Sequence, residues 1–382
     1  MNKSSIHIPF LAAFTCLLSG ITAAQPTHIC VNQIALAYQD EINRPIASID
    51  FQALQHNATR IATSVSPLIE QSQAIADPFD PSAFSFQKEK VIEKTYPVNT
   101  NHKLSIDNRY GNISIHNWNR NEVKVTVRIR TAENSEKRAQ DALERVRIDE
   151  SASGNSISFK TNITSSDSNW WSSLTNGAGD RALRIDYEVY MPKQNDLTLA
   201  NQYGPIELED RDGKVTLSVR YGSLRAGRLN ARDNSLSIGY SKADIDYLED
   251  GDVSVRYGGL ILSESGKLTL SISYSDGEIG RINHEADIAI RYGSSFNMGL
   301  GANIKKVNVA ASYAKVSIEP AKEAAFNFNV AISYGGFDYD HNLTNIRTRS
   351  EGTTSKSFTG YWNKSTDNSV NISSRYGAVS MK

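Results

Sequence analysis

The stretch Leu197-Thr198-Leu199-Ala200-Asn201-Gln202-Tyr203-Gly204-Pro205-Ile206-Glu207-Leu208 decides the fold. Apolar residues alternate with polar ones up to Tyr203, then alternate again after it, but on the opposite parity. Period two is the signature of a strand with one buried face. A single continuous strand with such a parity break would turn its apolar face to solvent. A corner at Tyr-Gly avoids that, because glycine tolerates the positive φ or bulge a corner needs. The unit therefore reads as strand, corner, strand, turn.

The same unit recurs. Tyrosines fall at Tyr203, Tyr221, Tyr240, Tyr257, Tyr274, Tyr292, Tyr313, Tyr334 and Tyr376, in steps of 17 to 21 residues and a last step of 42, twice 21. Arg-Tyr-Gly itself is written five times. One unit is too small to bury a core alone, whereas stacked units share one. The expected fold is all-β, a parallel β-helix or solenoid with 17–21-residue coils, neighbouring coils lying about 4.8 Å apart. The rival, hairpins closed into a barrel, calls for Asn-Gly or Asp-Gly turns in register, and none recurs. Tyr376 to Lys382 reads as one more half-coil.

Working outward, Met1 to Ala24 has a basic start at Lys3, an apolar run from Ile8 to Leu18 and small residues Thr22-Ala23-Ala24 before Gln25. This predicts a secretory signal peptide over 1–24; the apolar run is too short for a membrane span. Cys16 falls inside it, so Cys30 would stand alone, with no partner for an internal disulfide. Residues 25–90 do not repeat and read as partly helical around Phe51, Leu54, Ile61, Val65 and Leu68, with a linker near 77–85 at Pro78 and Pro81. A β-rich lead-in is expected over 91–196. It contains one helical excursion near 135–146, with Ala139, Ala142, Leu143 and Val146 on its buried side. A polar loop from Thr164 to Asp180 carries Trp170 and Trp171. Regular coils are expected over 197–382. No later stretch is long and apolar enough to be a transmembrane segment.

The string Leu104-x-Ile106-x-x-x-Tyr110-Gly111-x-Ile113-x-Ile115-x-x-Trp118, the following helix, Tyr187-x-Val189-x-Met191-Pro192 and the Tyr-Gly coils together resemble the putative adhesin family of exported bacterial β-solenoid proteins. The resemblance covers roughly residues 91–382. It implies a right-handed, exported β-solenoid at the cell surface, in the periplasm or outside the cell. That family has no assigned biochemical activity and supplies no catalytic residues to transfer.

Charges nearly cancel, at a formal net of −1, which argues against nucleic acid as a partner. No His pair lies at zinc-ligand spacing, and no Gly-x-Ser-x-Gly elbow, P-loop or nonapeptide calcium repeat occurs. The densest acids, Asp244, Asp246, Glu249, Asp250 and Asp252, read as a solvated turn and outer face. The expectation is a non-catalytic protein with no cofactor and no metal: a surface or envelope binding scaffold whose partner is a polysaccharide or an envelope protein. Two alternatives stay open: a carbohydrate-active enzyme on a β-helix and an envelope signalling or stress partner. Oligomeric state is not legible.

Two groups are candidate contact residues. Trp170 and Trp171 are a stacking platform if exposed, and packing against the first coils if not. Arg220, Arg256 and Arg291 occupy the position just before the tyrosine, which reads Gln202, Arg220, Gly239, Arg256, Ser273, Arg291, Ser312, Ser333 in chain order. Spacing arginines by small neutral residues avoids repulsion between neighbours, and also makes a cationic stripe suited to an anionic polymer. For the tyrosines, parity favours rings turned inward to fill the corners. The competing reading is an exposed aromatic ladder.

Overall fold

The structure, a computed structural model, describes residues 84–164 and 181–382. The expected signal peptide, the partly helical segment and the Trp170-Trp171 pair lie outside the described residues. The β structure starts at Phe86, ahead of the expected position near 91.

The alternating stretches form strands as their pattern dictates, buried apolar positions alternating with more exposed polar ones. In Lys242–Arg256, for example, Ala243, Ile245, Leu248, Val253 and Val255 are buried. Ten coils carry a tyrosine corner. The strands leading into the corners form one continuous parallel stack. In spatial order they are Lys103–Arg109, Asp196–Gln202, Val215–Arg220, Asn234–Gly239, the latter halves of Lys242–Arg256, Gly259–Ser273 and Asp276–Arg291, then Lys306–Ser312, Ser369–Arg375 and Phe326–Ser333. The strands leaving the corners form a second parallel stack, from Ile113–Asn117 to Phe337–Tyr339. Apolar side chains from both stacks meet in one core running the length of the molecule.

Spatial order departs from chain order at both ends. After the first tyrosine coil, the chain builds Ser156–Ile163 and Arg181–Met191 on its outer side, then crosses back to lay Asp196–Gln202 on its inner side. At the far end, Phe326–Ser333 forms the terminal coil and the hairpin Thr344–Glu351 with Ser355–Trp362 pairs antiparallel to its outer edge. With that edge taken, Ser369–Arg375 inserts between Lys306–Ser312 and Phe326–Ser333. The step of 42 residues is therefore not two successive coils: its middle is a capping hairpin, and Tyr376 lies between Tyr313 and Tyr334. The hairpin covers an edge that would otherwise template pairing with another chain. At the opposite end, Phe86–Pro97, Glu122–Glu133 and Arg181–Met191 form an antiparallel flap. The expected helix is present as Glu136–Glu144, with Ala139, Ala142 and Leu143 buried, and Val146 already begins the next strand.

Arg211 locks the lead-in region to the coils. Its neighbours Glu209, Asp210 and Asp212 are acidic, yet its side chain is wholly buried and donates to Asn117 Oδ1 at 2.9 Å and to the carbonyls of Pro192 and Asn195 at 2.8 Å. Burial pulls its guanidinium pKa down to about 10, while Asp212, Glu209 and Asp196 push the other way.

Candidate functional site

All ten corner tyrosines have left-handed backbone, with φ between 50° and 65°. That conformation is rare for a bulky residue. It overturns the expectation of inward rings. The parity argument extrapolates extended geometry through the corner, and a positive φ swings the Cα–Cβ bond to the outside instead. Tyr110, at one end, is buried, while Tyr240, Tyr274 and Tyr334 are 43%, 46% and 49% exposed. The rings form a single stack in the order Tyr110, Tyr203, Tyr221, Tyr240, Tyr257, Tyr274, Tyr292, Tyr313, Tyr376, Tyr334. Successive centroids lie 4.8–5.2 Å apart and ring planes differ by 6–15°. Each ring covers the face of the next, so within the ladder the phenol edges and hydroxyls are what solvent meets, not the π faces.

Backbone contacts hold the corners in register. The amide of each tyrosine from Tyr110 to Tyr376 donates to the carbonyl of the residue before the next tyrosine, at 2.9–3.2 Å. The following residue must be small. A Cβ on Gly222 would stand 2.1 Å from the carbonyl oxygen of Gly204, and one on Gly377 1.9 Å from that of Ala314. Where serine replaces glycine, its hydroxyl is buried and used: Ser241 Oγ accepts from the Gly222 amide at 3.1 Å and donates to the Gly239 carbonyl at 2.9 Å.

Arg220, Arg256 and Arg291 are exposed and lie on one face, beside the tyrosine ladder. The strand pairing adds two more. Read in space, the position before the tyrosine runs Arg109, Gln202, Arg220, Gly239, Arg256, Ser273, Arg291, Ser312, Arg375, Ser333. The alternation fails in chain order at Ser312 and Ser333, but the inserted strand restores it in space, and all five Arg-Tyr-Gly copies take alternate places. No carboxylate pairs with any of these five arginines among the described residues.

Three of the arginines, Arg109, Arg220 and Arg375, act electrostatically on the phenols. Burial raises the pKa of Tyr110, Tyr221, Tyr240 and Tyr376, neighbouring tyrosines raise it further, and the arginines oppose this. Arg220 opposes the rise at both Tyr221 and Tyr240. A Cβ on Gly239 would lie 3.5 Å from Arg220 Cγ. A neutral residue in each gap thus separates the charges.

The acids of Lys242–Arg256 point outward without converging. Tyr247 donates to Glu249, Arg228 sits 4.0 Å over the Tyr247 ring, and burial, with Glu249 adding to it, pushes the Tyr247 phenol up to about 12. His116 pairs with Glu209 at 3.1 Å and stacks on Tyr190. Among the described residues no three His, Cys, Asp or Glu side chains gather to hold a metal, and no helix is long and apolar enough to cross a membrane.

No family model and no curated protein matches the chain. Solved structures do. A putative adhesin from Parabacteroides distasonis matches at TM-score 0.38 and 8% identity, over 77% of this chain and 97% of its own. A putative cell adhesion protein from Clostridium sporogenes matches at TM-score 0.23 and 12% identity, over 78% and 99%. A putative lipid binding protein from Parabacteroides distasonis matches at TM-score 0.35 and 8% identity, over 76% and 96%. The structural matches thus include proteins described as putative adhesins. Superpositions this shallow carry no functional weight, and the rail's own geometry has to.

Proposed function

We propose that this protein is an exported, non-catalytic, right-handed β-solenoid that binds a linear anionic polymer, an acidic surface polysaccharide, along its tyrosine and arginine rail. The observation that carries this reading is the column of five arginines on one exposed face of a chain whose overall charge is −1. Guanidinium groups without a carboxylate partner among the described residues are suited to carboxylate or phosphate recognition. The tyrosine stack is about 45 Å long in nine ring steps, and the arginines beside it span eight of those steps, about 40 Å. The right hand accords with the general preference of parallel crossovers, and export with the Met1–Ala24 segment.

A direct test is calorimetric titration of the mature protein with a panel of acidic and neutral polysaccharides at low and physiological salt. Acidic members bind, and R220Q/R256Q/R291Q binds at least tenfold more weakly with unchanged circular dichroism. Added salt weakens the wild type more than the variant, because screening acts on exposed charges. A triple variant that binds every glycan as the wild type does would refute the reading. For export, the amino terminus of the envelope form begins near Gln25; an intact Met1 there would contradict it.

A further inference from the structure

The rail carries two periods. A tyrosine recurs at every coil and an arginine at every second coil, so the cationic repeat is two ring steps, about 10 Å, double the strand spacing. A polyanion bound for its charge density alone has no use for this arrangement, because the intervening coils offer it nothing but Gln202, Gly239, Ser273, Ser312 or Ser333.

The face beside Arg256, Arg291 and Arg375 is shaped to receive a chain. Two residues before the position that precedes the tyrosine, on the same outward side, small residues form a floor over the coils of Gly239, Arg256, Ser273, Arg291, Ser312 and Arg375: Ser237, Ser254, Ser271, Ala289, Ala310 and Ser373. Two residues further, Asp252, Thr269, Asp287, Asn308, Asn371 and Asn329 form a polar border. Floor and border line an open trough of about 880 Å³ that crosses seven coils, a volume in the range of ligand clefts, ~300–1,000 Å³. The border is ordered along the trough: Asn371 Nδ2 donates to Asn308 Oδ1 at 3.1 Å and Asn308 Nδ2 to Asp287 Oδ1 at 2.5 Å.

Resting on the proposed function, we infer that the ligand is an extended β-linked polysaccharide whose two-sugar repeat carries a single carboxylate. A β-linked pyranose chain in extended form advances by about one strand spacing per sugar. Laid in the trough along the coil axis, it places the carboxylates of alternate sugars against Arg256, Arg291 and Arg375. The uncharged sugar between them meets the small residue of the gap. The floor admits the chain to the sheet surface because it carries no side chain larger than serine. The Asp, Thr and Asn border exchanges hydrogen bonds with sugar hydroxyls, and the phenol hydroxyls beside each guanidinium donate to the carboxylate.

The test uses three probes of equal sugar count on the mature protein: hyaluronan oligosaccharides, with one carboxylate per two sugars; polymannuronate oligosaccharides, with one per sugar; and neutral cello-oligosaccharides. Titration calorimetry gives hyaluronan at least threefold tighter than polymannuronate, despite half its charge, and at least tenfold tighter than the neutral chain. In S273R/S312R, which fills two gaps with charge, polymannuronate becomes the tighter acidic ligand. If wild-type affinity follows charge density, polymannuronate first, and R220Q/R256Q/R291Q weakens both acidic probes alike, the register inference is overturned while the anionic-polymer reading stands. If the triple variant leaves all three affinities unchanged, both fall. The wild-type ranking decides the matter even if S273R/S312R does not fold.

Discussion

Tyr257, in the middle of the ladder, tests whether stacking sustains a strained corner. Its φ is 55°, and its ring lies 4.8 Å from that of Tyr240 and 5.1 Å from that of Tyr274. Tyr257→Ala removes both stacking contacts, each worth about 0.5–1.5 kcal/mol, while keeping a Cβ in left-handed backbone, which costs roughly 1–2 kcal/mol. Tyr257→Gly loses the same contacts but relieves the strain, at an added backbone entropy cost of about 0.5–1 kcal/mol. The expected order of stability is wild type, then glycine, then alanine, with deficits of about 1 and about 2 kcal/mol. Urea denaturation followed by circular dichroism measures this, with equal slopes across the three proteins. A glycine variant less stable than the alanine variant, or an alanine variant as stable as wild type, would refute the reasoning.

Further outcomes follow from the same geometry. Gly222→Ala forces a Cβ onto the Gly204 carbonyl and destabilises by about 3 kcal/mol, whereas Gly336→Ala, with open space around it, stays within ~0.5 kcal/mol; equal effects would remove the close-approach argument. Arg211→Met strands the carbonyls of Pro192 and Asn195 and the Asn117 amide oxygen, costing about 3 kcal/mol in thermal or urea unfolding, and Arg211→Lys does not restore it because an ammonium lacks the fork. The phenols of Tyr110, Tyr221, Tyr240 and Tyr376 titrate above their ordinary value of 10.0 in the folded chain. Their raised pKa favours the neutral form in the fold, so this stability is fully present below about pH 10 and is lost as pH rises through the folded values. Ultraviolet phenolate titration of native and urea-unfolded protein checks this: coincident curves would contradict it.

The strands were legible because alternation is a local property: Val253, Val255, Leu260 and Leu262 place themselves. The corner was legible from the parity flip across Tyr257. The direction of the ring was not, since it depends on one dihedral that alternation does not encode. The five copies of Arg-Tyr-Gly were visible in the sequence, but their alternate placing was not. Arg109 and Arg375 join the column only through strand pairing at the two ends, where the chain doubles back. The Ser355–Trp362 hairpin takes one edge of Phe326–Ser333 and leaves the other for Ser369–Arg375, a competition between distant segments that no local pattern records. Arg211 was missed for a related reason. Among Glu209, Asp210 and Asp212 it looks like one more solvated charge, and only the meeting of three separated carbonyl and amide groups buries it.

The unbroken column of five alternating arginines depends on Arg375 lying between Ser312 and Ser333. In a Cys30→Ser background, Ser312→Cys/Arg375→Cys and Ser312→Cys/Ser333→Cys separate the two possible orders by disulfide formation under mild oxidation. Adjacent parallel strands bring the first pair to about 4.8 Å, within the span a disulfide bridges, while two strand spacings hold the second pair about 10 Å apart, beyond it. Rapid, near-complete cross-linking of the first pair and none of the second is the predicted result. Cross-linking of the Ser312→Cys/Ser333→Cys pair in its place would contradict it.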